Sequence, residues 1–291
     1  MNISNLKFNF KNIDTKTKIA LRRLIHPIIL KMMPSRRTFE LKELNEKPKV
    51  KGPVLYILTH STSHDAPIAC ECIKDHFYIL IGKQPLEKMD EVFFNLNGCV
   101  VVDRGNKESE KQSLDSMVKL LKLGENIVMF SEQTWCIKPS TPINKLRRGW
   151  VKVAKSANVS VVPIALEYYE HTEDNVCYVK YGDAIIVKED DDIIKKNLEL
   201  EEVFATLKYD IWNQFPVQKR SKIDLKSWNE IIRKRNEEYP LLDLEKENQF
   251  IIGNNDYSEK VLSSDEYLTG LINLMGLDKN LIDLKKEKIK K

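Results

Sequence analysis

The sequence has no uncharged hydrophobic run of the roughly 20 residues that a membrane-spanning helix requires. Its first residues are polar, so we expect no secretory signal peptide. No internal repeat is evident. With 42% hydrophobic, 8% aromatic and 31% charged residues, the 291-residue chain has the composition of a globular protein, which excludes a disordered polymer. A chain of this length can bury one large core or two smaller ones.

Candidate disulfides and metal ligands are also scarce. The five cysteines are an odd, scattered set without a CxxC motif, which is typical of reduced thiols in a cytosolic compartment. Cys70 and Cys72 flank a single residue, and no histidine stands near them at ligand spacing. Because zinc sites space their ligands differently, we expect no bound metal.

The excess of positive charge is small but unevenly distributed. The chain has 47 Lys and Arg against 43 Asp and Glu, a net charge of +4 that is too mild to indicate nucleic acid, and we expect no such partner. Residues 1–39 nevertheless carry +8, so the remainder carries −4. A basic N-terminal segment on a near-neutral remainder of the chain suggests an anionic surface as partner. The charged residues of this segment are Lys7, Lys11, Lys16, Lys18, Arg22, Arg23, Lys31, Arg36, Arg37 and the single acid Asp14.

Residues 16–33 combine cations with apolar residues at three- and four-residue steps, which predicts a helix that contains Pro27. The segment is too short and too charged to span a bilayer. One interpretation is a helix that lies in the membrane interface with its cations toward anionic lipid. The protein would then be peripheral, at the cytoplasmic face of a membrane. The other interpretation is a helix that covers the domain core, with its lysines in water.

From Gly52 onward, short apolar runs alternate with helical patterns. Continuous apolar runs of four to eight residues suit strands that are buried on both faces. The alternation predicts an α/β fold with a mostly parallel or mixed sheet flanked by helices. The predicted strands are Val54–Leu58, Phe77–Ile81, Cys99–Val102, Ile127–Phe130, Val159–Leu166 and Val176–Tyr181, and the helices between them include Lys107–Lys122 and Lys145–Ser156.

We predict three parts along the chain. An N-terminal amphipathic helical segment covers residues 1–45, an α/β domain covers 46–190, and a helical C-terminal extension covers 191–291. The acidic run Glu189–Asp192 closes the α/β region, and Pro216 ends the first helical pattern beyond it. The predicted helices of the extension are Leu198–Phe215 and Trp228–Glu238.

Polar residues follow three of the predicted strands. His60 and Asp65 come after the first strand, Arg104 after the third and Glu132 after the fourth. The carboxyl ends of parallel strands share one edge of a sheet, and open α/β sheets bind ligands there. We therefore expect a base, a cation and a carboxylate to converge at this edge, although they are far apart in sequence.

The spacing of His60 and Asp65 allows their side chains to meet. Asp65 is followed by Ala66 and Pro67, a good helix start, so a tight turn can bring the imidazole of His60 back over the carboxylate. The carboxylate would then fix the imidazole tautomer and leave the other ring nitrogen to take a proton as a general base. The alternative is that Asp65 only caps the helix and that His60 is a polar loop residue.

Other residues of the same loop offer rival chemistry. His64 is adjacent to Asp65 in sequence, and adjacent side chains seldom face each other. Ser61 and Ser63 could be the nucleophiles of a serine hydrolase, but the sequence has no G-x-S-x-G elbow. Both are weaker hypotheses than His60 as the base.

Five segments follow one another in a recognisable order: Leu58–Asp65, Asn97–Arg104, Phe130–Trp135, Leu146–Trp150 and Val161–Leu166. The first contains a His-x4-Asp pattern, the second is similar to Gly-x-x-Phe-x-x-Arg and the third to Phe-Pro-Glu-Gly-Thr-Arg. Together they resemble the glycerolipid acyltransferases typified by 1-acyl-sn-glycerol-3-phosphate acyltransferase, the PlsC-like family. The resemblance covers about residues 50–185.

This resemblance implies an O-acyltransferase that moves a fatty acyl group from an acyl thioester to a hydroxyl of a lyso-phospholipid or related lipid. The donor would be acyl-CoA or acyl-carrier protein, acting as co-substrate, and no other cofactor is expected. His60 would deprotonate the acceptor hydroxyl, and Asp65 would orient His60. No covalent acyl-enzyme is required.

The resemblance also implies the residues that bind the acceptor. Arg104 would hold its phosphate, because a planar guanidinium can grip a phosphate at two points. Glu132 and Thr134 would shape the acceptor loop. Lys83 and Arg148 are further candidate substrate-binding cations, and each could instead be a solvated surface residue.

The third segment departs from the family pattern, with Ser131, Gln133 and Trp135 where the family has Pro, Gly and Arg. A lost phosphate-gripping arginine removes a hydrogen bond worth about 1.5–3 kcal/mol, and Gln133 lacks the backbone freedom of glycine. We therefore expect an acceptor that is bulkier or less phosphorylated than lysophosphatidate. Two other functions stay open: a catalytically silent lipid-binding homologue, and a hydrolase of lipids or thioesters that uses the same His–Asp pair.

Overall fold

The structure is a computed structural model. It describes residues 16–32, 39–62, 64–83, 94, 96–136, 141–169 and 176–215, together with 226, 230 and 233. The chain forms two compact units, residues 1–235 and 236–291, and all described residues belong to the first. The predicted helix Trp228–Glu238 lies outside the described residues except for Glu230 and Arg233, and Ser63 and Met33 also lie outside them.

Helices and strands alternate along most of the first unit. The helices are α1 (Lys16–Met32), α2 (Asp65–Ile73), α3 (Lys107–Lys122), α4 (Gly149–Ala157) and α5 (Ile193–Gln214). The strands are β1 (Glu40–Glu43), β2 (Val54–Leu58), β3 (Phe77–Gly82), β4 (Cys99–Val102), β5 (Asn126–Met129), β6 (Ser160–Tyr169), β7 (Val176–Tyr181) and β8 (Ile185–Ile186).

The eight strands form one mixed sheet in the order β1-β7-β6-β2-β5-β3-β4, with β8 beside β6. Five strand pairs are parallel: β1 with β7, β2 with both β5 and β6, and β3 with both β4 and β5. Strand β6 is antiparallel to β7 and β8. The predicted α/β class, with a mostly parallel or mixed sheet, is confirmed.

The sheet is covered on both faces, which explains why the central strands are continuously apolar. All five residues of β2 are buried. Its side chains alternate, so that Leu55 and Ile57 pack with residues of α3, α4 and α5, whereas Tyr56 and Leu58 pack with residues of α2. A one-residue shift of this strand would exchange the two sets between the two cores.

The observed strands differ from the predicted ones mainly at the margins of the sheet. Strands β1 and β8 were not predicted. Strand β1 has the sequence Glu-Leu-Lys-Glu and stands at the sheet edge, where its polar side chains are largely exposed and leave no apolar run to detect. Strand β8 has only two residues. Strand β6 continues to Tyr169, three residues beyond the predicted end at Leu166.

Helix α5 begins at Ile193, five residues before the predicted start at Leu198. The side chain of Asp192 precedes it and accepts a hydrogen bond from the backbone N–H of Lys195, 2.8 Å away. Phe204 and Ile211 of this helix are fully buried in the core. The prediction placed this helix in an extension that starts at residue 191. In the structure the helix lies within the first unit and packs into its core, and the predicted division into three parts stays a prediction.

Helix α1 is close to its predicted bounds and has two different faces. Ile19 and Ile29 are buried in the two cores, and the guanidinium of Arg23 forms an ion pair with the carboxylate of Glu125. The helix therefore covers part of the domain core, as one of the two interpretations requires. Its outer face carries exposed apolar residues, described below. No helix within the described ranges is long and apolar enough to cross a membrane.

Candidate active site

The segments that follow β2, β4 and β5 lie at one edge of the sheet, because these strands run parallel within it. His60 follows β2, Glu132 follows the neighbouring β5, and Arg104 follows β4. The strand order places β5 and β3 between β2 and β4. Three strand spacings separate β2 from β4, which corresponds to about 14 Å along the edge.

His60 and Asp65 are in direct contact. The imidazole Nδ1 of His60 lies 2.7 Å from Oδ2 of Asp65, and the carboxylate is only 1% exposed. An ionised carboxylate can only accept hydrogen bonds, so this contact places a proton on Nδ1. Among the described residues none forms a hydrogen bond with Nε2, and the His60 side chain is 18% exposed. The arrangement presents a second ring nitrogen that can accept a proton.

Asp65 is the first residue of α2, but its carboxylate turns toward the preceding loop. Oδ2 also accepts hydrogen bonds from the backbone N–H groups of Ser61 and Thr62, at 2.7 Å and 3.1 Å. Oδ1 accepts a hydrogen bond from the hydroxyl of Tyr168. The N-cap residue of α2 is His64, so the interpretation of Asp65 as only a helix cap is wrong.

The rival histidine points elsewhere. The His64 ring lies edge-on to Phe39, with 5.3 Å between ring centroids, and its backbone N–H donates to the hydroxyl of Thr62 at 2.9 Å. Of the two histidines in this loop, the structure pairs His60 with Asp65.

Two aromatic rings surround the imidazole of His60. The Phe130 ring is stacked on it, with 4.5 Å between centroids and 23° between planes. The Trp135 ring meets it edge-on at 6.2 Å. Trp135 is buried and occupies the position of the arginine in the family pattern, so an indole packs here beside the imidazole.

Glu132 is buried and its carboxylate points into the protein. Oε1 accepts the backbone N–H of His60 at 2.8 Å, and Oε2 accepts the backbone N–H of Asn144 at 2.6 Å. Burial raises the pKa of Glu132 to about 8, while the two backbone donors and the ammonium of Lys208 act in the opposite direction. The carboxylate joins two loops, which fits the predicted role in shaping the acceptor loop better than direct contact with a substrate.

The altered third segment keeps a glycine-like backbone. Gln133 has φ +63°, a left-handed conformation that glycine adopts without steric cost. Its side-chain carbonyl accepts a hydrogen bond from Nε of Arg147 at 3.0 Å, and the backbone N–H of Arg147 donates to the Ser131 carbonyl at 2.9 Å. These contacts offset part of the strain. Thr134, the next predicted site residue, is buried.

The predicted binding cations are spread along the edge. Arg104 is exposed, and its guanidinium packs over Gly82, where a Cβ would lie 3.4 Å from Nε. Lys83 pairs with Asp103 at 2.7 Å on the surface. Arg148 is half-buried at the N-cap of α4. Of the seven predicted site residues, contacts join His60, Asp65 and Glu132.

A cavity of about 770 Å³ lies at the opposite edge of the sheet, away from His60. It is lined by α1 residues such as His26 and by the first residues of two strands, Val54 and Asn126. Within the described part of the chain, no three His, Cys, Asp or Glu side chains are grouped as a metal site would need. The absence of a metal from the reaction stays a prediction.

Sequence reasoning missed one contact of the site, the hydrogen bond from Tyr168 to Asp65. The two residues are 103 positions apart. No local pattern links them, because their proximity depends on the parallel pairing of β2 with β6. The inward orientation of Glu132 was missed for a similar reason, since it depends on how two loops pack.

Comparisons with known proteins point to the same family as the sequence motifs. Residues 37–167 match the model of a family described as Acyltransferase. Among solved structures, the fold is similar to the 1-acyl-sn-glycerophosphate (LPA) acyltransferase PlsC from Thermotoga maritima. The match has a TM-score of 0.52 and 14% sequence identity, and it covers 71% of this chain and 86% of that one. A comparison with curated proteins gives no match. The resemblance noted in the sequence is confirmed.

Proposed function

We propose that the protein transfers a fatty acyl group from an acyl thioester to a hydroxyl of a lyso-phospholipid or a related glycerolipid. The match of residues 37–167 to the acyltransferase family model supports this proposal. The observation that carries the proposal is the 2.7 Å contact between His60 and Asp65. It lies at the sheet edge where α/β proteins bind their ligands.

The reaction needs only one proton to be moved twice. Nε2 of His60 takes the proton of the acceptor hydroxyl, and the hydroxyl oxygen attacks the carbonyl carbon of the thioester. Asp65 stabilises the imidazolium that forms. The C–S bond of the tetrahedral intermediate then breaks, the imidazolium returns the proton to the departing sulfur, and the products are an ester and a thiol. The thiol belongs to CoA or to acyl-carrier protein.

The distances along the edge suit an extended acceptor. Arg104 binds the acceptor's anionic group, and the hydroxyl that reacts lies at His60, about three strand spacings away. Trp135 places an apolar ring beside the base, where the family pattern has a cation. This substitution supports an acceptor whose headgroup is bulkier or less phosphorylated than that of lysophosphatidate.

The outer face of α1 supports a location at a membrane surface. Leu21, Leu24 and Ile28 are exposed by 55%, 76% and 60%, and their spacing places them on one stripe of the helix. The exposed cations Lys18 and Lys31 flank this stripe. Apolar residues bordered by lysines are the composition of a helix that lies in the interface of an anionic bilayer.

The test is an assay with radiolabelled acyl-CoA and anionic vesicles that contain a mixture of lyso-phospholipids and lyso-glycolipids. Labelled diacyl lipid is the expected product. Labelled free fatty acid would instead identify a hydrolase, and vesicle binding without any turnover would identify a silent lipid-binding protein. A parallel assay with acyl-carrier protein as donor decides between the two thioesters.

A further inference from the structure

We propose that Tyr168 is a positioning residue for the His60–Asp65 pair, acting through the carboxylate of Asp65. The inference rests on the proposed function for its kinetic meaning, but the geometry behind it is independent of the substrate. The Tyr168 hydroxyl donates to Oδ1 of Asp65, and His60 contacts the other carboxylate oxygen, Oδ2.

Within the part of the chain that the structure describes, the Asp65 carboxylate receives four hydrogen bonds. Three of them go to Oδ2, from the His60 ring and from the backbone N–H groups of Ser61 and Thr62. The fourth goes to Oδ1 from Tyr168. A carboxylate can accept about four hydrogen bonds, and one that is 1% exposed depends on protein donors rather than on bulk water.

Tyr168 belongs to a different element of the fold from the other three donors. They all belong to the loop that immediately precedes Asp65, so they move with it. Tyr168 belongs to β6, in the middle of the sheet, which pairs with β2 up to Leu58 and Ile164 and then continues past the end of β2. Its hydroxyl therefore ties a loop-borne catalytic pair to the rigid sheet.

The Tyr168 side chain is well placed to stay a donor. It is buried, and the Phe39 ring packs edge-on against it with 5.0 Å between centroids. Burial, together with the negative charge of Asp65, raises the pKa of the Tyr168 phenol well above its ordinary value. The hydroxyl thus keeps its proton across the pH range in which a histidine works as a base.

Loss of the hydroxyl has two consequences. Oδ1 of Asp65 then has no donor among the described residues in a buried site, so the carboxylate can rotate away from the orientation that fixes the His60 tautomer. The negative charge of the Asp65 carboxylate is also stabilised by one donor fewer, so the carboxylate attracts the protonated imidazole more strongly. The imidazole then holds its proton to higher pH, and the acid limb of the pH–rate profile moves upward.

Tyr168→Phe tests the inference, with Tyr169→Phe as the matched control. Tyr169 is also buried, lies next in sequence and points to the other face of β6, where its hydroxyl donates to the Phe215 carbonyl at 2.7 Å. Both variants lose a tyrosine hydroxyl that donates a hydrogen bond. We expect kcat to fall on the order of tenfold in Tyr168→Phe, with KM unchanged and the acid limb moved to higher pH. Tyr169→Phe keeps the wild-type kcat and profile.

A second measurement separates this inference from the proposed function. The His60 ring is titrated by NMR in the full chain with labelled histidine, with His60→Ala identifying its signal among the five histidines. The His60 signal should titrate at higher pH in Tyr168→Phe than in wild type or Tyr169→Phe, even if no acyl transfer is found. Identical titration curves, or wild-type kcat in Tyr168→Phe, would overturn the positioning role.

Discussion

The carboxylate of Glu132 accepts the backbone N–H of His60 at 2.8 Å, so the residue proposed as base is held from two directions. Asp65 fixes its ring, and Glu132 fixes its main chain. The second oxygen of Glu132 is bound by Asn144, just before α4. A buried acid of the third sequence segment therefore sets the position of a histidine in the first.

His60→Ala should lower kcat by about 10²–10⁴-fold, the usual contribution of a general base. The melting temperature should change little, because the His60 side chain lies at the open edge of the sheet and is partly exposed. The matched control is His64→Ala, which removes the other imidazole of the same loop and should keep kcat within about threefold of wild type. Transfer at the wild-type rate by His60→Ala would remove the proposed base from the mechanism.

Glu132→Gln should lower the free energy of unfolding and make it depend less on pH. The amide NH₂ would face one of two backbone N–H donors, a mismatch that costs about 1–3 kcal/mol. In wild type, the pKa of Glu132 is raised from 4.5 to about 8, so the folded state binds an extra proton between these values. Its contribution to the free energy of unfolding therefore decreases as pH rises through this window.

The measurement for Glu132 is urea unfolding at pH 5 and pH 8.5. Wild type should lose more stability between the two than Glu132→Gln does. Glu46→Gln, at an exposed position, should follow the wild-type difference. Equal pH differences in wild type and Glu132→Gln would show that this carboxyl does not titrate in the window.

Arg104→Ala should raise KM for a phosphorylated acceptor by about 10–100-fold, because it removes a charge-assisted hydrogen bond, and should leave kcat nearly unchanged. Initial rates at varied acceptor concentration give both constants. Lys122→Ala is the control. It removes the same charge from the last residue of α3, at the opposite edge of the sheet, and should not change KM. Similar effects of the two variants would indicate a general loss of attraction to anionic vesicles.

Replacement of Leu21, Leu24 and Ile28 together by Ser should weaken binding to anionic vesicles by at least tenfold, since it removes the exposed apolar stripe of α1. Vesicle co-sedimentation at low and high salt measures this. Point substitutions are preferable to deletion of the helix, because Ile19 and Ile29 are part of the core. Salt should weaken the wild-type binding, because it screens the lysines that border the stripe.

The control for this stripe lies on α5. Ile194, Leu198 and Tyr209 are exposed by 49%, 49% and 52%, so the same change to Ser removes a comparable apolar surface elsewhere. We expect vesicle binding to be unchanged in that variant. If both triple variants lose binding equally, the attachment is not specific to α1.

The sequence predicted structure well where a strand is buried on both faces or where the residues in contact are close in sequence. Strand Val54–Leu58 is buried on both faces and leaves a continuous apolar run, so its bounds were predicted to the residue. The contact between His60 and Asp65 spans five positions and was predicted from the turn between them. Strand Glu40–Glu43 was missed because an edge strand can be almost entirely polar.

Contacts between distant segments could not be predicted in the same way. The place of Tyr168 beside Asp65 follows from the register of β6 against β2, which pairing in three dimensions determines. The direction of the Glu132 side chain depends on the packing of two loops, neither of which has a regular pattern. The sequence suggested an acid that shapes the acceptor loop, and the structure adds that its carboxylate turns inward to join two loops.

The hydrogen bond between Gln133 and Arg147 couples the effects of substitutions at the two positions. A left-handed backbone costs a non-glycine residue about 1–2 kcal/mol, and here the side chain that causes the cost also supplies the acceptor that offsets it. Change of Arg147 alone removes the hydrogen bond and leaves the left-handed backbone, whereas Gln133→Gly removes the hydrogen bond and the steric cost together. The effect of a substitution at either site thus depends on the residue at the other, an epistatic link between two loop positions that lie 14 residues apart.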